Sequence, residues 1–540
     1  MRTTSVLKIR FSDGAYDLTE FSEDSLDKKH VAIIPWGDGL IITSIREGSK
    51  QGCANCLISR LKYSISIKSI KMPMVNRIFV KNDLFQKLTE IALDWVLTNK
   101  LISQTIAYFF HASLTEGEEL QVYREEFDIL PVPYCCCRSK TTPIKEYKRI
   151  RDNNTSCIFW PNFILHSEVS LHNPGQFFVG SAATPNSIFI LAGERNGILK
   201  PSPPSACSFI GDDQLYLRVF GEAIERYSLG YIPVDFQDEN KSKTNKTVAL
   251  RSISSGAKIK IPMEEVYSAI YAVHDIGFPM TSSGVAAHTN RNQAIEKSAL
   301  EIIERDSILT AWRVINNEIA RGCFVYRIGE DTLGVSNGKI RKKFLLLMED
   351  LLYRAHFLFV KNIWKVPVVL LLGIPNLDRV CANPILGVGC DFDIQTAIDK
   401  SIQEAMQGLS STITPALDEM PSSFSDRVAF YSMPQRLILL ENLFTDKIDY
   451  LEHDINKEKI TSLLAHIKNN KLPDIFFTEI TPPDVRITGW HVIRSILPGS
   501  EPLASSYSDE IVNEEWLQYS IRKMKVEQLF NFNKLPHPYP

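Results

Sequence analysis

Two short segments of the chain, residues 222–226 and 301–305, repeat the pattern Glu-x-x-Glu-Arg. Both lie in stretches of good helix propensity. Residues three and four apart share one face of a helix, so each segment presents two carboxylates and a guanidinium together. The alternative for either segment alone is a solvated helix carrying an i,i+4 ion pair worth about 0.3–0.5 kcal/mol. The groups concerned are the carboxylates of Glu222, Glu225, Glu301 and Glu304 and the guanidinium groups of Arg226 and Arg305.

Apolar residues flank both segments, which favours partial burial, and buried carboxylates need cations or strong donors. Mg²⁺ takes oxygen ligands together with substrate phosphates, and arginine holds phosphate oxygens in a bidentate manner. The sequence therefore predicts a nucleotide–magnesium site built from side chains. The usual backbone phosphate cradles are absent, since no Gly-x-x-x-x-Gly-Lys-Ser/Thr segment occurs and residues 387–392 lack the last glycine of Gly-x-Gly-x-x-Gly.

The length, net charge and apolar runs of the chain limit the number of domains and the kinds of partner to expect. The 540 residues predict two to four domains, at about 150 residues per domain. The formal net charge of −3 gives no electrostatic case for nucleic acid. The longest apolar run, residues 366–374, is about half of the roughly 20 residues that a membrane span needs, and the first residues lack a signal-peptide core. We expect a cytoplasmic protein with no nucleic-acid or membrane partner.

Residues 1–175 are predicted to form a separate α+β unit. Apolar runs at residues 31–36 and 40–45 flank a Gly-Asp-Gly turn, which predicts a hairpin. Apolar residues then recur at helical spacing over residues 84–96, behind Asn82 as the N-cap. Residues 176–540 form the second predicted domain.

The second acidic segment belongs to a longer stretch, residues 282–306, that resembles the central signature of the YcaO family. Residues 221–227 are similar to the family's earlier ATP motif, and residues 387–407 resemble its third motif. Residues 490–499 resemble the strand that precedes its C-terminal segment. The resemblance implies an α+β fold, in which a YcaO-type domain of mixed sheets and helices follows a smaller α+β ThiF-like or docking domain.

The resemblance also implies roles for individual residues. The four glutamates would hold Mg²⁺ on the phosphates of ATP, with Arg226 and Arg305 close to those phosphates. Glu404 and Gln407 match the third element of the site. Thr289 stands where the family has an asparagine, and residues 207–209 replace a Gly-Lys-Gly segment that the family often carries. His288 is expected to be a hydrogen-bonded neighbour of the site.

The chain ends with Pro536, Pro538 and Pro540 at alternate positions, a spacing that favours an extended polyproline II segment. A frayed tail is the alternative. Within the YcaO family this ending resembles the azoline-forming cyclodehydratases. The resemblance implies a tail that enters the active site, where the Pro540 carboxylate serves as a proton acceptor or positioning group.

The first predicted domain contains a Cys-x-x-Cys pair, Cys53 and Cys56, and three adjacent cysteines at residues 135–137. Two thiolates from each of two turns make a tetrahedral structural Zn²⁺ site, here assigned to Cys53, Cys56, Cys135 and Cys137. This arrangement resembles the cysteines of the docking region in azoline-forming YcaO proteins. The spacing does not show which of the three adjacent cysteines would bind zinc. The alternative to a zinc site is a Cys-x-x-Cys pair that is merely packed or is redox-active.

The activity that the resemblance implies is ATP- and Mg²⁺-dependent cyclodehydration of Cys, Ser and Thr residues in a precursor peptide. The implied partners are that peptide, a leader-peptide-binding ThiF-like or recognition-element protein, and an FMN-dependent azoline dehydrogenase. Two alternatives remain. One is a YcaO thioamide synthetase, and the other is a non-catalytic scaffold that docks the peptide with a degenerate nucleotide site.

Overall fold

The computed structural model describes separate secondary-structure elements between residues 5 and 208, helical residues at 218, 221–222, 224–226 and 228–229, and most of residues 247–539. Within that last range the description leaves out residues 268–281, 335–337, 377–382, 410–415, 422–423, 446–447, 452–461, 487–488, 504–506, 508–509 and 527–531. Among the described residues, no helix has both the length and the apolar character that crossing a bilayer requires.

The elements of the first 208 residues are mostly strands. They are β1 (Ser5–Lys8), β2 (Phe11–Ser12), β3 (Ala15–Tyr16), β4 (His30–Trp36), β5 (Gly39–Ile45), α1 (Asp83–Thr98), β6 (Ile106–Leu114), β7 (Leu120–Asp128), β8 (Lys148–Asp152), β9 (Thr155–Trp160), β10 (Phe163–Ser167), β11 (Phe178–Ser181) and β12 (Ser205–Ser208).

One five-stranded sheet, in the order β1-β4-β5-β6-β7, organises this region. The predicted hairpin is confirmed, because β4 and β5 pair antiparallel with Trp36 opposite Gly39. The predicted helix is confirmed as α1, whose Leu88 and Ala92 are fully buried. The division of the chain at residue 175 stays a prediction.

The remaining elements alternate helices and strands. They are β13 (Thr247–Ser252), β14 (Lys258–Pro262), a 3₁₀ helix (Met263–Glu265), β15 (Val285–His288), α2 (Arg291–Val314), α3 (Glu318–Phe324), β16 (Val325–Arg327), α4 (Glu330–Leu333), α5 (Lys339–Asp350), β17 (Tyr353–Val360), β18 (Val368–Pro375), β19 (Ile385–Cys390), α6 (Ile394–Leu409), α7 (Phe424–Tyr431), α8 (Pro434–Thr445), α9 (Leu463–Asn470), β20 (Phe476–Glu479), α10 (Pro483–Arg486), β21 (His491–Ile496) and α11 (Glu514–Lys523).

Two sheets enclose the central helix α2. A five-stranded sheet has the order β14-β13-β20-β21-β15, and a four-stranded antiparallel sheet has the order β16-β17-β18-β19. Alternate residues of β18 explain the layering, since successive side chains of a strand point to opposite faces. Val368, Leu370 and Leu372 belong to the core that contains α2, whereas Val369 and Leu371 pack with α5 and α6. The fold is α+β, as the sequence predicted.

Helix α2 begins at a side-chain cap. The Asn290 carboxamide oxygen accepts hydrogen bonds from the N–H groups of Asn292 and Gln293, which satisfies two N–H groups that lack an intrahelical partner. The Ser298 hydroxyl is 2.6 Å from that of Ser495 on β21. Because sheets lie on both sides of α2, polar groups on this helix are held in fixed positions.

Candidate functional site

The acidic residues of α2 lie where the helix passes the edge strands of both sheets. Glu301 accepts a hydrogen bond from the backbone N–H of Gly284, just before β15. Glu304 lies one turn further along α2, and its charge interacts with that of Glu404 on α6. Helix α2 therefore presents its two glutamates to two different strand edges.

Strands β15 and β19 are edge strands, and each directs a backbone N–H to a glutamate. Glu225 Oε1 accepts from the N–H of Ala287 on β15 at 2.7 Å. Glu404 Oε2 accepts from the N–H of Val388 on β19. An unpaired edge N–H otherwise needs water or another strand, so these bonds fix both carboxylates and satisfy the strand edges.

Two glycines of β19 determine how closely α6 approaches that strand. A Cβ at Gly387 would lie 2.0 Å from the carbonyl oxygen of Ser401 and 2.4 Å from the backbone nitrogen of Ala405. A Cβ at Gly389 would lie 2.1 Å from the carbonyl oxygen of Ala397. Only glycine permits this contact between backbones, which brings Glu404 within reach of the Val388 N–H.

Burial and mutual repulsion perturb the acidic groups. Burial, with repulsion from Glu301, raises the pKa of Glu225 well above its usual value. Burial raises the pKa of Glu301 to about 6, although Arg305 opposes the rise. Burial, together with repulsion from Glu404 and Glu301, raises the pKa of Glu304 to about 8. These carboxylates need added positive charge to ionise together.

Arg305 is the partly buried cation at the centre of the cluster. Its Nη2 lies 3.8 Å from Glu404 Oε1, and its Nε lies 3.9 Å from Glu304 Oε1. Both distances exceed hydrogen-bond length. The Nε and Nη1 atoms of Arg305 are buried and have no hydrogen-bond partner in the described part of the chain. A buried guanidinium with unused donors is suited to binding an oxyanion such as a phosphate.

Three further cations lie beside the cluster, and the sequence analysis missed them. Arg218 donates from Nη1 to Gln403 on α6. The pKa of Lys297 is lowered, first by burial and then by the charge of Lys400, with Arg218 contributing. Lys400 Nζ donates to Asp391 at 2.7 Å. Their spacing in the sequence could have identified these cations, because each one stands four residues before the first acidic residue of its segment: Arg218 before Glu222, Lys297 before Glu301 and Lys400 before Glu404.

The other predicted residues are placed as follows. Arg226 pairs with Glu222 at 3.5 Å near the surface. His288 Nδ1 accepts from the N–H of Asn290 at 2.8 Å, as expected for a hydrogen-bonded neighbour, and burial lowers its pKa. Thr289 is exposed before α2, and Gln407 is partly buried on α6, one turn after Glu404.

Only some of the residues in the C-terminal and cysteine predictions lie in the described part of the structure. Pro536 and Pro538 are buried. Pro540 lies outside the described residues, as do the predicted zinc ligands Cys53, Cys56, Cys135 and Cys137.

The described residues contain no group of three His, Cys, Asp or Glu side chains close enough to hold a metal ion. The carboxylates instead interact with their neighbours in a row, Glu225 with Glu301, Glu301 with Glu304 and Glu304 with Glu404. Mg²⁺ at nucleotide sites takes one or two carboxylates and completes its shell with phosphates and water. Paired oxygen ligands beside Arg305 therefore fit a magnesium–nucleotide complex, in which the phosphates supply the missing ligands.

The sequence model of the YcaO family, described as YcaO cyclodehydratase, ATP- and Mg²⁺-binding, matches residues 231–501, half of the chain. The chain belongs to the YcaO family. The matched range contains α2, β19 and α6. Glu222 and Glu225 precede it, and the tail follows it. No curated protein sequence matches this YcaO chain.

Three solved structures are similar to this chain, and one of them supports the fold. A structure described as a heterocyclase in complex with substrate and cofactor is similar over 99% of this YcaO chain and 81% of its own, with a TM-score of 0.58 and 15% identity. YcaO from Methanopyrus kandleri, bound with AMPPCP and Mg²⁺, covers 62% of this chain and 85% of its own, with a TM-score of 0.44 and 15% identity. The E. coli microcin synthetase McbBCD complex covers 65% and 91%, with a TM-score of 0.42 and 17% identity. At 15% identity the first structure supports the fold alone, and the other two, with TM-scores below 0.5, support neither the fold nor a function.

Proposed function

We propose that this YcaO protein is an ATP- and Mg²⁺-dependent cyclodehydratase that converts Cys, Ser or Thr residues of a ribosomally made precursor peptide to thiazoline or oxazoline rings. The side-chain sulfur or oxygen attacks the preceding backbone carbonyl carbon. The resulting oxyanion takes the γ-phosphoryl group of ATP, and ADP leaves. Loss of phosphate and of the amide proton then forms the C=N bond, so that each ring removes one water from the peptide.

The observation that carries the proposal is the partly buried cluster of carboxylates around Arg305. Phosphoryl transfer depends mainly on positioning and on neutralising charge. When bound, ATP supplies the phosphoryl group and Mg²⁺ offsets the charge of its phosphates. Glu222, Glu225, Glu301 and Glu304 are the groups that would hold the metal, with Glu404 beside them, and the raised pKa values of Glu301 and Glu304 are those expected of carboxylates that ionise together only when a cation binds.

The chain's own residues then have separate tasks. The edge N–H groups of Ala287 and Val388 orient Glu225 and Glu404. Arg305 donates its two unused N–H groups to phosphate oxygens. Lys297 and Lys400 add positive charge beside the carboxylates. Thr289, Arg226 and Gln407 are proposed to line the nucleotide.

The tail is proposed to act at the reacting peptide. Leu535 contacts Trp312 on α2, two turns beyond Arg305. Seven residues of helix measure about 10 Å, whereas five residues of extended tail span about 15 Å. The Pro540 carboxylate therefore has the reach to accept a proton from the attacking side chain or from the amide, with Pro536 and Pro538 stiffening the approach.

The test of function is a reaction of full-length protein, ATP and Mg²⁺ with a precursor peptide encoded beside the gene. We expect the peptide to lose the mass of one water per ring and ATP hydrolysis to rise when the precursor is added. Glu301→Gln should abolish both, whereas Glu349→Gln, at an exposed position on α5, should change neither. We further propose a leader-peptide-binding ThiF-like or recognition-element partner and an FMN-dependent azoline dehydrogenase, so the assay includes the partner proteins encoded nearby.

Three results would contradict the proposal. Exchange of oxygen for sulfur on addition of sulfide, without water loss, would indicate a thioamide synthetase. Precursor binding without ATP hydrolysis would indicate a scaffold. An unchanged peptide in the presence of a verified precursor and its partners would exclude cyclodehydration.

A further inference from the structure

Five of the eight residues in the C-terminal segment 532–539 are buried, although none of its residues lies in a helix or a strand. An extended segment has no internal hydrogen bonds, so each of its backbone carbonyls needs an outside donor when it is buried. Five consecutive carbonyls in this segment each accept a hydrogen bond from a side chain elsewhere in the chain. Arg313 Nη1 donates to Asn533 O at 3.1 Å, Tyr507 OH to Lys534 O at 3.0 Å, Trp312 Nε1 to Leu535 O at 3.0 Å, Tyr431 OH to Pro536 O at 2.6 Å and Arg427 Nη1 to His537 O at 3.0 Å.

One buried carboxylate joins the two arginines among these donors. Glu510 Oε2 accepts from Arg313 Nη2 at 2.8 Å, and Glu510 Oε1 accepts from Arg427 Nη1 at 2.6 Å. The side chains of Arg313, Arg427 and Glu510 are 2%, 0% and 4% exposed. Glu510 Oε1 also accepts from the N–H of His537 at 3.4 Å. The tail backbone is thus contacted in two ways: the two arginines donate to its carbonyl oxygens, and Glu510 accepts from one of its N–H groups.

The other donors are aromatic residues. Trp312 and Tyr431 meet edge to face, with ring centroids 6.1 Å apart, and Tyr539 belongs to the same core. Aromatic side chains that pack against prolines and donate to the intervening carbonyls are the means by which grooves recognise a polyproline II peptide. Here the recognised peptide is the chain's own end, which includes Pro536 and Pro538.

We infer that Trp312, Arg313, Arg427, Tyr431 and Glu510 form a groove that recognises an extended proline-containing peptide, and that residues 533–539 occupy it as a tethered ligand. The tail then docks on the core as a separable ligand, held by recognition of its backbone and by the packing of Tyr539. The same sequence should therefore bind when it is supplied as a separate peptide. Tethering gives the attached tail a millimolar effective concentration, so a free peptide competes only when the tail is weakened.

The first experiment measures amide hydrogen exchange of the full-length protein, following the C-terminal peptide by mass spectrometry. Tyr431→Phe removes one hydrogen bond and should speed exchange in the tail by roughly three- to tenfold. Arg427→Met leaves Glu510 without one of its two arginines and should speed it by about a hundredfold or more. Arg436→Met is the matched control, because Arg436 bonds to Leu417 and Asp418 and has no described bond to the tail.

In each variant, peptides from β18 and α5 report whether the domain stays folded. Faster exchange confined to the tail supports the groove. Tail exchange equal to that of the wild type in Arg427→Met, or loss of protection everywhere at once in both Tyr431→Phe and Arg427→Met, would overturn the inference, because the tail would then not open separately from the domain.

The second experiment uses a full-length chain in which residues 535–539 are replaced by glycine and serine. A fluorescent peptide with the sequence of residues 532–540 should bind this chain saturably. It should not bind the wild type or the same chain carrying Arg427→Met. Absence of binding to the folded Gly/Ser chain would contradict the proposal. Both readouts omit ATP and precursor, so their result is independent of the proposed reaction.

Discussion

The contact between β19 and α6 offers a sharp test of how the site is positioned. A Cβ at Gly387 would lie 2.0 Å from the carbonyl oxygen of Ser401, about 1.4 Å short of ordinary contact. Its other close neighbour is the backbone nitrogen of Ala405 at 2.4 Å. Backbone atoms cannot rotate away, so in Gly387→Ala helix α6 must recede by about 1 Å, and Glu404 recedes with it.

The expected cost has two parts. Overpacking of this kind destabilises by about 1–3 kcal/mol, and each kcal/mol lowers Tm by about 2–4 °C in domains of about 200 residues. A displacement of about 1 Å in a positioning group costs about a hundredfold in rate. We therefore expect Gly387→Ala to lower precursor-stimulated ATP hydrolysis by about a hundredfold, while the protein remains folded at 25 °C.

Calorimetry and a phosphate-release assay on the same preparation measure the two effects. Gly322→Ala is the control, since nothing lies within 4 Å of a Cβ at this position in α3 and alanine favours helix by about 1 kcal/mol. It should raise Tm slightly and leave the rate unchanged. Wild-type turnover in Gly387→Ala would refute the argument that the close contact between β19 and α6 positions Glu404.

Two other variants test charged residues, one in the site and one in the sheet that contains β15. Arg305→Met removes the cation that offsets repulsion among the carboxylates together with two donor atoms that lack partners, so Tm at pH 7 should fall while ATP turnover falls by about a hundredfold or more; turnover equal to that of the wild type would contradict the phosphate-binding role of Arg305. Burial alone would raise the pKa of Glu479. Hydrogen bonds that Glu479 accepts from Arg291 and His491 outweigh this effect and hold its pKa below the usual value. Its contribution to stability is therefore present above the unfolded pKa, near 4.5, and is lost as pH falls through the folded pKa. Urea unfolding at pH 7 and pH 4 should show a smaller loss of stability on acidification for Glu479→Gln than for the wild type, and equal losses would contradict this role.

Local patterns in the sequence were sufficient for the individual elements. Helical spacing and a capping asparagine predict α1, and the Gly-Asp-Gly turn predicts the hairpin of β4 and β5, because both signals act within a few residues. The repeated Glu-x-x-Glu-Arg pattern likewise identifies the acidic segments around Glu225 and Glu304. Residue types and spacing thus established the chemistry that the site needs.

The family motifs, the α+β class and the identity of the carboxylates all follow from the amino-acid sequence. The donors that face these carboxylates do not, because they are brought there by folding. The bonds from Ala287 to Glu225 and from Val388 to Glu404 join residues on different elements, and they exist because each strand lies at the edge of its sheet. The contacts of segment 532–539 also depend on the tertiary structure, since five donors from three distant segments satisfy its carbonyls. Both outcomes depend on contacts between remote parts of the chain, whose free energy is set by packing and burial and not by local spacing.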